Sequence, residues 1–298
     1  IDVQIFQIHC SFLSSDFACC KGIILLMYPT IIVLNFCRSQ GAREHYFKKS
    51  TILNNIIDAL YNWKKLTAKQ FKDIICAICF LAQIVKVKDK YFEKSEKHDR
   101  FSPFTEPEEC VLAGMKYESL DQIMFVVNGE KISASKSTLV SVSDIFGAML
   151  EGNYSEASLS EITINGSSSF AFRYLIHSLH GCVTDRCKTL KELYTMPATD
   201  DSARKVISLF KEADKYLIDP LKCVTCKCLR DYYTVPKSAA SVFRFAVLLQ
   251  KQSLMKASVA SILTQSKDLH ETVQCSLELM ESKYSDIFLQ SLSDMLVE

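Results

Sequence analysis

The sequence predicts a mostly α-helical protein with one small β-sheet, and three observations carry that expectation. With 8 Gly and 6 Pro in 298 residues, both usages are low for a loop-rich or all-β chain. Apolar residues recur at helical spacing through most of the length. One stretch, residues 120–181, instead mixes strand, turn, helix and cap signals in close order. A hydrophobic fraction of 48% allows a sizeable core, and the length suits two domains or a solenoid followed by a domain.

The run from Gly22 to Cys37 is the most hydrophobic in the chain, but Pro29 interrupts it and it falls short of the ~20 residues that span a bilayer. It therefore reads as two buried helices, and no membrane association is expected. Leu53, Ile56, Ile57 and Leu60 form a helical stripe, and Thr67-Ala68-Lys69-Gln70 is a capping box opening a second one with Phe71, Ile74, Ile75, Ile78 and Ala82. Successive short helices that must bury their stripes against neighbours suit an α-solenoid. Residues 1–88 resemble the closing repeats of an armadillo-type array, although a helical bundle fits the same stripes. Because the sequence opens with Ile1, such an array is expected to start before it.

Between Lys86 and Glu109 the charges are mixed in sign, and Pro103 and Pro107 punctuate the segment. Residues 89–118 are expected to be a solvated linker rather than a nucleic-acid patch, since acids interleave with bases.

Residues 119–232 read as an α/β domain. Asp121 opens a β-branched and aromatic run to Val127, and Asn128-Gly129 before Lys131-Ile132 suits a type I′ hairpin. A helical pair follows over Ser135–Val142 and Ser143–Leu150, with Gly152 where a C-cap belongs. Glu161–Ile164 alternates as a half-buried strand, and Asn165–Ser169 supplies a turn and N-cap. Phe172, Leu175, Ile176 and Leu179 then make one apolar stripe. Gly181 to Ser202 reads as a break before a helix holding Ala213–Leu217, and Asp219-Pro220 as the N-cap and first residue of the next.

This order resembles the BTB (POZ) domain. Asp121, the Asn128-Gly129 hairpin, Ala134, Leu139, Phe146, Met149 and Leu150 fall on that family's positions, and Ala213-Asp214-Lys215-Tyr216 matches its late helix. Two positions depart: Ser135 stands where many members carry His, and His180 where they carry Tyr before the glycine. The resemblance implies a cullin-3 surface at Tyr154 and Glu156, bordered by Asp214 and Tyr216. It also implies a homodimer surface around Met115, Leu120, Asp121 and Met124. Helical patterning over residues 233–298, through Val242, Phe245, Ala246, Val259, Ile262, Phe288 and Leu292, is similar to the BACK region of such adaptors.

Armadillo-like repeats, then BTB, then BACK resembles the fifth armadillo-repeat-containing protein family. That resemblance implies a substrate-recognition subunit of a cullin-3 ubiquitin ligase, with the repeats taking a substrate such as the largest subunit of RNA polymerase II. A BTB scaffold in transcriptional or cytoskeletal assembly is the alternative.

A formal charge of +1 gives no electrostatic case for nucleic acid. Thirteen cysteines scattered through apolar runs behave as small buried hydrophobes of a reduced, cytoplasmic or nuclear protein. The sequence lacks the Gly-x-x-x-x-Gly-Lys, Gly-x-Ser-x-Gly and His-Glu-x-x-His motifs, so no enzyme and no cofactor is expected. Cys223-x-x-Cys226-x-Cys228 is the nearest metal-like pattern, with His177, His180, Cys182 and Cys187 as candidate fourth ligands. Apolar packing explains that trio as well, and no metal is expected.

Overall fold

The computed structural model describes residues 52–84, 87, 110, 112, 121–182, 187–266 and 268–297. The Gly22–Cys37 run and most of the expected linker lie outside them. The chain divides into two units, one built from residues 92–266 and the other from the two ends, 1–91 and 267–298.

In the end-to-end unit, α1 (Ile52–Tyr61) and α2 (Ala68–Ile84) pack with α11 (Leu269–Met280) and α12 (Ser285–Val297). The capping box forms as expected: the Gln70 N–H donates to Thr67 Oγ1 at 3.2 Å, and the Thr67 N–H donates to Gln70 Oε1 at 2.8 Å. Ile56, Ile57, Ile74, Ile75 and Ile78 are buried, as their spacing predicts. The Leu53 side chain lies outside the described residues. The helical region expected at 233–298 divides between the units, because Leu279, Phe288, Leu292 and Met295 are buried in the unit that α1 and α2 belong to.

The larger unit begins with the sheet. β1 (Gln122–Val127) is central, antiparallel to β2 (Glu130–Ser135) and parallel to β3 (Glu161–Ile164). Asn128 and Gly129 both have positive φ, 49° and 80°, the type I′ geometry that matches strand twist. α3 (Lys136–Val142) and α4 (Asp144–Glu151) form the crossover, capped by Ser135 and Ser143 whose hydroxyls accept from the Thr138 and Phe146 N–H groups. α5 (Ser169–Leu179) follows β3 and is capped by Ser168.

The interval expected to be a break contains a further helix, α6 (Lys188–Thr195), held by buried Leu190 and Leu193. Two apolar residues three apart make too short a stripe to stand out in the sequence. α7 (Asp200–Lys215) is capped by Thr199. α8 (Asp219–Cys228) starts one residue earlier than expected: Ile218 is its N-cap, and Asp219, already in the first turn, pairs with Lys222 at 2.7 Å. A π-turn (Leu229–Tyr233) leads to α9 (Pro236–Leu248) and α10 (Gln252–Thr264), which pack as a pair.

The core where sheet and helices meet is aromatic. Phe125 of β1, Phe146 of α4 and Phe172 of α5 meet edge to face, and the Tyr216 ring lies parallel to Phe146 with centroids 4.6 Å apart. All four are buried, and such pairs add about 0.5–1.5 kcal/mol each beyond the area they hide.

Candidate functional site: a protein-docking surface

The expected partner surface follows α4. The Gly152 N–H donates to the Ala148 carbonyl, and a Cβ on Gly152 would lie 2.2 Å from that oxygen. Only glycine fits this close approach, so the helix stops and the chain turns outward. Tyr154 comes next in extended conformation, 64% exposed, as the residue before a 3₁₀ turn (Ser155–Ser158). Glu156 lies in that turn, and its carboxylate accepts an exposed hydrogen bond from the Ser155 hydroxyl at 3.0 Å. Leu159 just beyond is also exposed. Phe146 and Leu150 anchor the preceding helix in the core, so the aromatic is displayed from a fixed base.

Tyr216 corrects the expectation drawn for it. It is 3% exposed and stacked on Phe146, because the end of α7 must close the aromatic core. It ties α4 to α7 and offers nothing to a partner. Asp214, two residues earlier, is exposed and paired with Lys222 at 3.1 Å.

Met124 is half-buried on the central strand, and Met115 and Leu120 lie outside the described residues. The Asp121 carboxylate accepts from the Ser135 hydroxyl at 2.7 Å and the Ser137 N–H at 2.8 Å. Its residue type suits this capping task, since the first N–H groups of α3 need an acceptor. Partial burial would raise this carboxyl, but the bonds from Ser135 and Ser137 hold it below the usual carboxylate range.

Among the described residues, the cysteine pattern singled out in the sequence does not gather into a metal-binding group. Cys223 is exposed, Cys226 is half-buried, and buried Cys228 directs its thiol to the Leu193 carbonyl. His180 is occupied elsewhere, its Nδ1–H donating to the Ile176 carbonyl at 2.8 Å. The other three candidates, His177, Cys182 and Cys187, do come together, and they meet Cys110. Sequence reasoning missed Cys110 because it stands 67 residues before His177, in a stretch that reads as linker. Burial holds the His177 ring down to about 4, so its imidazole is neutral.

A search of curated proteins finds no match to this chain. Residues 112–233 match the family described as the BTB/POZ domain, which covers the sheet, the aromatic core and the exposed Tyr154 turn, and the larger unit therefore contains a BTB/POZ domain.

Proposed function

We propose that this chain is a substrate-recognition subunit of a cullin-3 ubiquitin ligase, in which the BTB domain docks the cullin and the helical repeats take a protein substrate. A BTB/POZ domain indicates a protein-interaction adaptor. The observation that supports docking on cullin-3 is Tyr154: a large aromatic held in solvent at the end of a core-anchored helix, with the Glu156 carboxylate two residues on. Such an aromatic can fill an apolar groove on a partner helix while the carboxylate accepts hydrogen bonds, and anchors of this kind dominate interface energy. The module acts by binding rather than by turnover, in the cytoplasm or nucleus. By resemblance, the substrate is the largest subunit of RNA polymerase II.

Binding of the purified chain to purified cullin-3 tests the reading. Saturable binding that weakens in Tyr154→Ala supports it. A well-folded chain that ignores cullin-3 turns the assignment to a scaffold outside ubiquitin transfer.

A further inference from the structure

We propose that Cys110, His177, Cys182 and Cys187 form a structural zinc site that fastens the segment before the BTB domain onto its central helix. The four donor atoms, three Sγ and the His177 Nδ1, all lie within 4.8 Å of one another. Cys110 Sγ is 3.7 Å from both Cys182 Sγ and Cys187 Sγ. His177 Nδ1 stands 3.3 Å from Cys110 Sγ, 3.2 Å from Cys187 Sγ and 3.7 Å from Cys182 Sγ. A tetrahedral ion with Zn–S bonds of about 2.3 Å requires sulfurs about 3.8 Å apart, which is the spacing of Cys110 from both of its cysteine neighbours.

Local structure explains how two of the ligands meet. α5 ends in a Schellman motif: the Gly181 N–H donates to the Ser178 carbonyl and the Cys182 N–H to the His177 carbonyl, each at 3.1 Å. Gly181 takes φ of +73°, the left-handed turn this motif needs. The turn folds Cys182 back beside His177. Cys187, buried, lies at the start of α6, and Cys110 arrives from the segment before the domain.

The far side of the ring is also arranged. His177 Nε2 lies 3.4 Å from Thr189 Oγ1. With its proton on Nε2, directed at that oxygen, the imidazole presents the Nδ1 lone pair to the three sulfurs, the outer-shell pattern of metal-bound histidine.

Competing explanations account for less. A disulfide needs sulfurs about 2.05 Å apart, well short of the separations here. Plain thiol packing leaves Cys110 and Cys187 both within 3.3 Å of one nitrogen that has a single lone pair to share. A divalent ion satisfies all four donors at once. On binding, the three thiols release their protons to water, and three thiolates, one neutral imidazole and Zn²⁺ leave a net charge of −1. Three sulfurs and one nitrogen select zinc over hard cations. With four protein ligands the site is closed, hence structural rather than catalytic.

Metal analysis of the full chain, purified under reducing conditions without chelator, tests the proposal. The expected result is one zinc per chain and, after exchange to Co²⁺, the intense visible absorption of a tetrahedral thiolate site. Cys110→Ser and Cys187→Ser should lose both signals, while Cys223→Ser and Cys226→Ser keep them. Thr189→Val, which retains every ligand, should weaken zinc binding by roughly tenfold. If ligand variants fail to fold, chelation and zinc re-addition on the parent chain still decide the matter. A folded parent without stoichiometric zinc and without that cobalt spectrum overturns the site. So does iron or copper in zinc's place, or loss of zinc on changing Cys223 but not Cys110.

Discussion

The Ser135 backbone N–H donates to His180 Nε2 across 3.0 Å, joining the end of β2 to the last turn of α5. These are the two positions at which the sequence departs from the usual BTB pattern, and they turn out to be partners. His180 is buried, and its other nitrogen donates to the Ile176 carbonyl, which fixes the tautomer that accepts from Ser135. His180→Ala would leave a buried N–H without a partner, a loss of about 1–3 kcal/mol. Urea denaturation checks this by a lowered midpoint, and an unchanged midpoint would mean that water replaces the ring.

Asp121 sets an acid limb on stability. Its folded carboxyl titrates below the usual carboxylate value, so the unfolded chain binds the proton more readily, and stability falls as pH drops through that window. The contribution is complete above the ordinary carboxylate value and lost as pH falls through the folded one. Because the group is largely in water, about 1 kcal/mol is the expected scale. Asp121→Asn should be less stable than the parent at neutral pH and converge with it in acid, as followed by denaturation at several pH values.

Three helix ends make the same left-handed turn with different residues, α9 doing so with Gln250 at φ of 54°. α5 uses Gly181. α7 uses Leu217, at φ of 58° and 66% exposed, with the Leu217 and Ile218 N–H groups bonded back to Asp214 and Ala213. A side chain in this region costs roughly 1–2 kcal/mol. Gly181→Ala should therefore destabilise the domain by about 1 kcal/mol, whereas Leu217→Gly should leave it as stable or stabilise it by up to about 1 kcal/mol. Thermal melts of the two variants should move apart.

Local signals were legible wherever the chemistry lies within a few residues. The Thr67–Gln70 box, the Asn128-Gly129 turn and the Ser168 cap each depend on neighbours in sequence, and each formed. The stripes at Ile56 and Ile74 identified buried faces without identifying what buries them. α11 and α12 share that unit from the far end of the chain, and no local pattern encodes such a pairing. Tyr216 differs from its expected place for a related reason: an aromatic at a helix end reads alike whether it faces solvent or Phe146. The zinc ligands show the same limit. His177 and Cys182 are brought together by a cap that can be read locally, but Cys110 joins them only through the tertiary fold.

The tyrosines at positions 154 and 216 provide the sharpest separation of surface from core. Tyr154 is exposed beyond a glycine cap, and its ring is not needed by the fold, so Tyr154→Ala should unfold at the same denaturant concentration as the parent within about 0.5 kcal/mol. Its cullin-3 affinity should fall by about 1–3 kcal/mol, the scale of an aromatic anchor. Tyr216→Ala removes a ring packed against Phe146 and Phe172, which should cost about 3–5 kcal/mol of stability. Its binding should fail only as the domain fails to fold. Tyr216→Phe, which keeps the ring, should bind like the parent. Paired denaturation and binding curves for the three variants therefore place the partner contact at Tyr154 and the structural one at Tyr216. A Tyr154→Ala chain that binds cullin-3 as tightly as the parent would remove Tyr154 from the docking surface, whatever Tyr216 does.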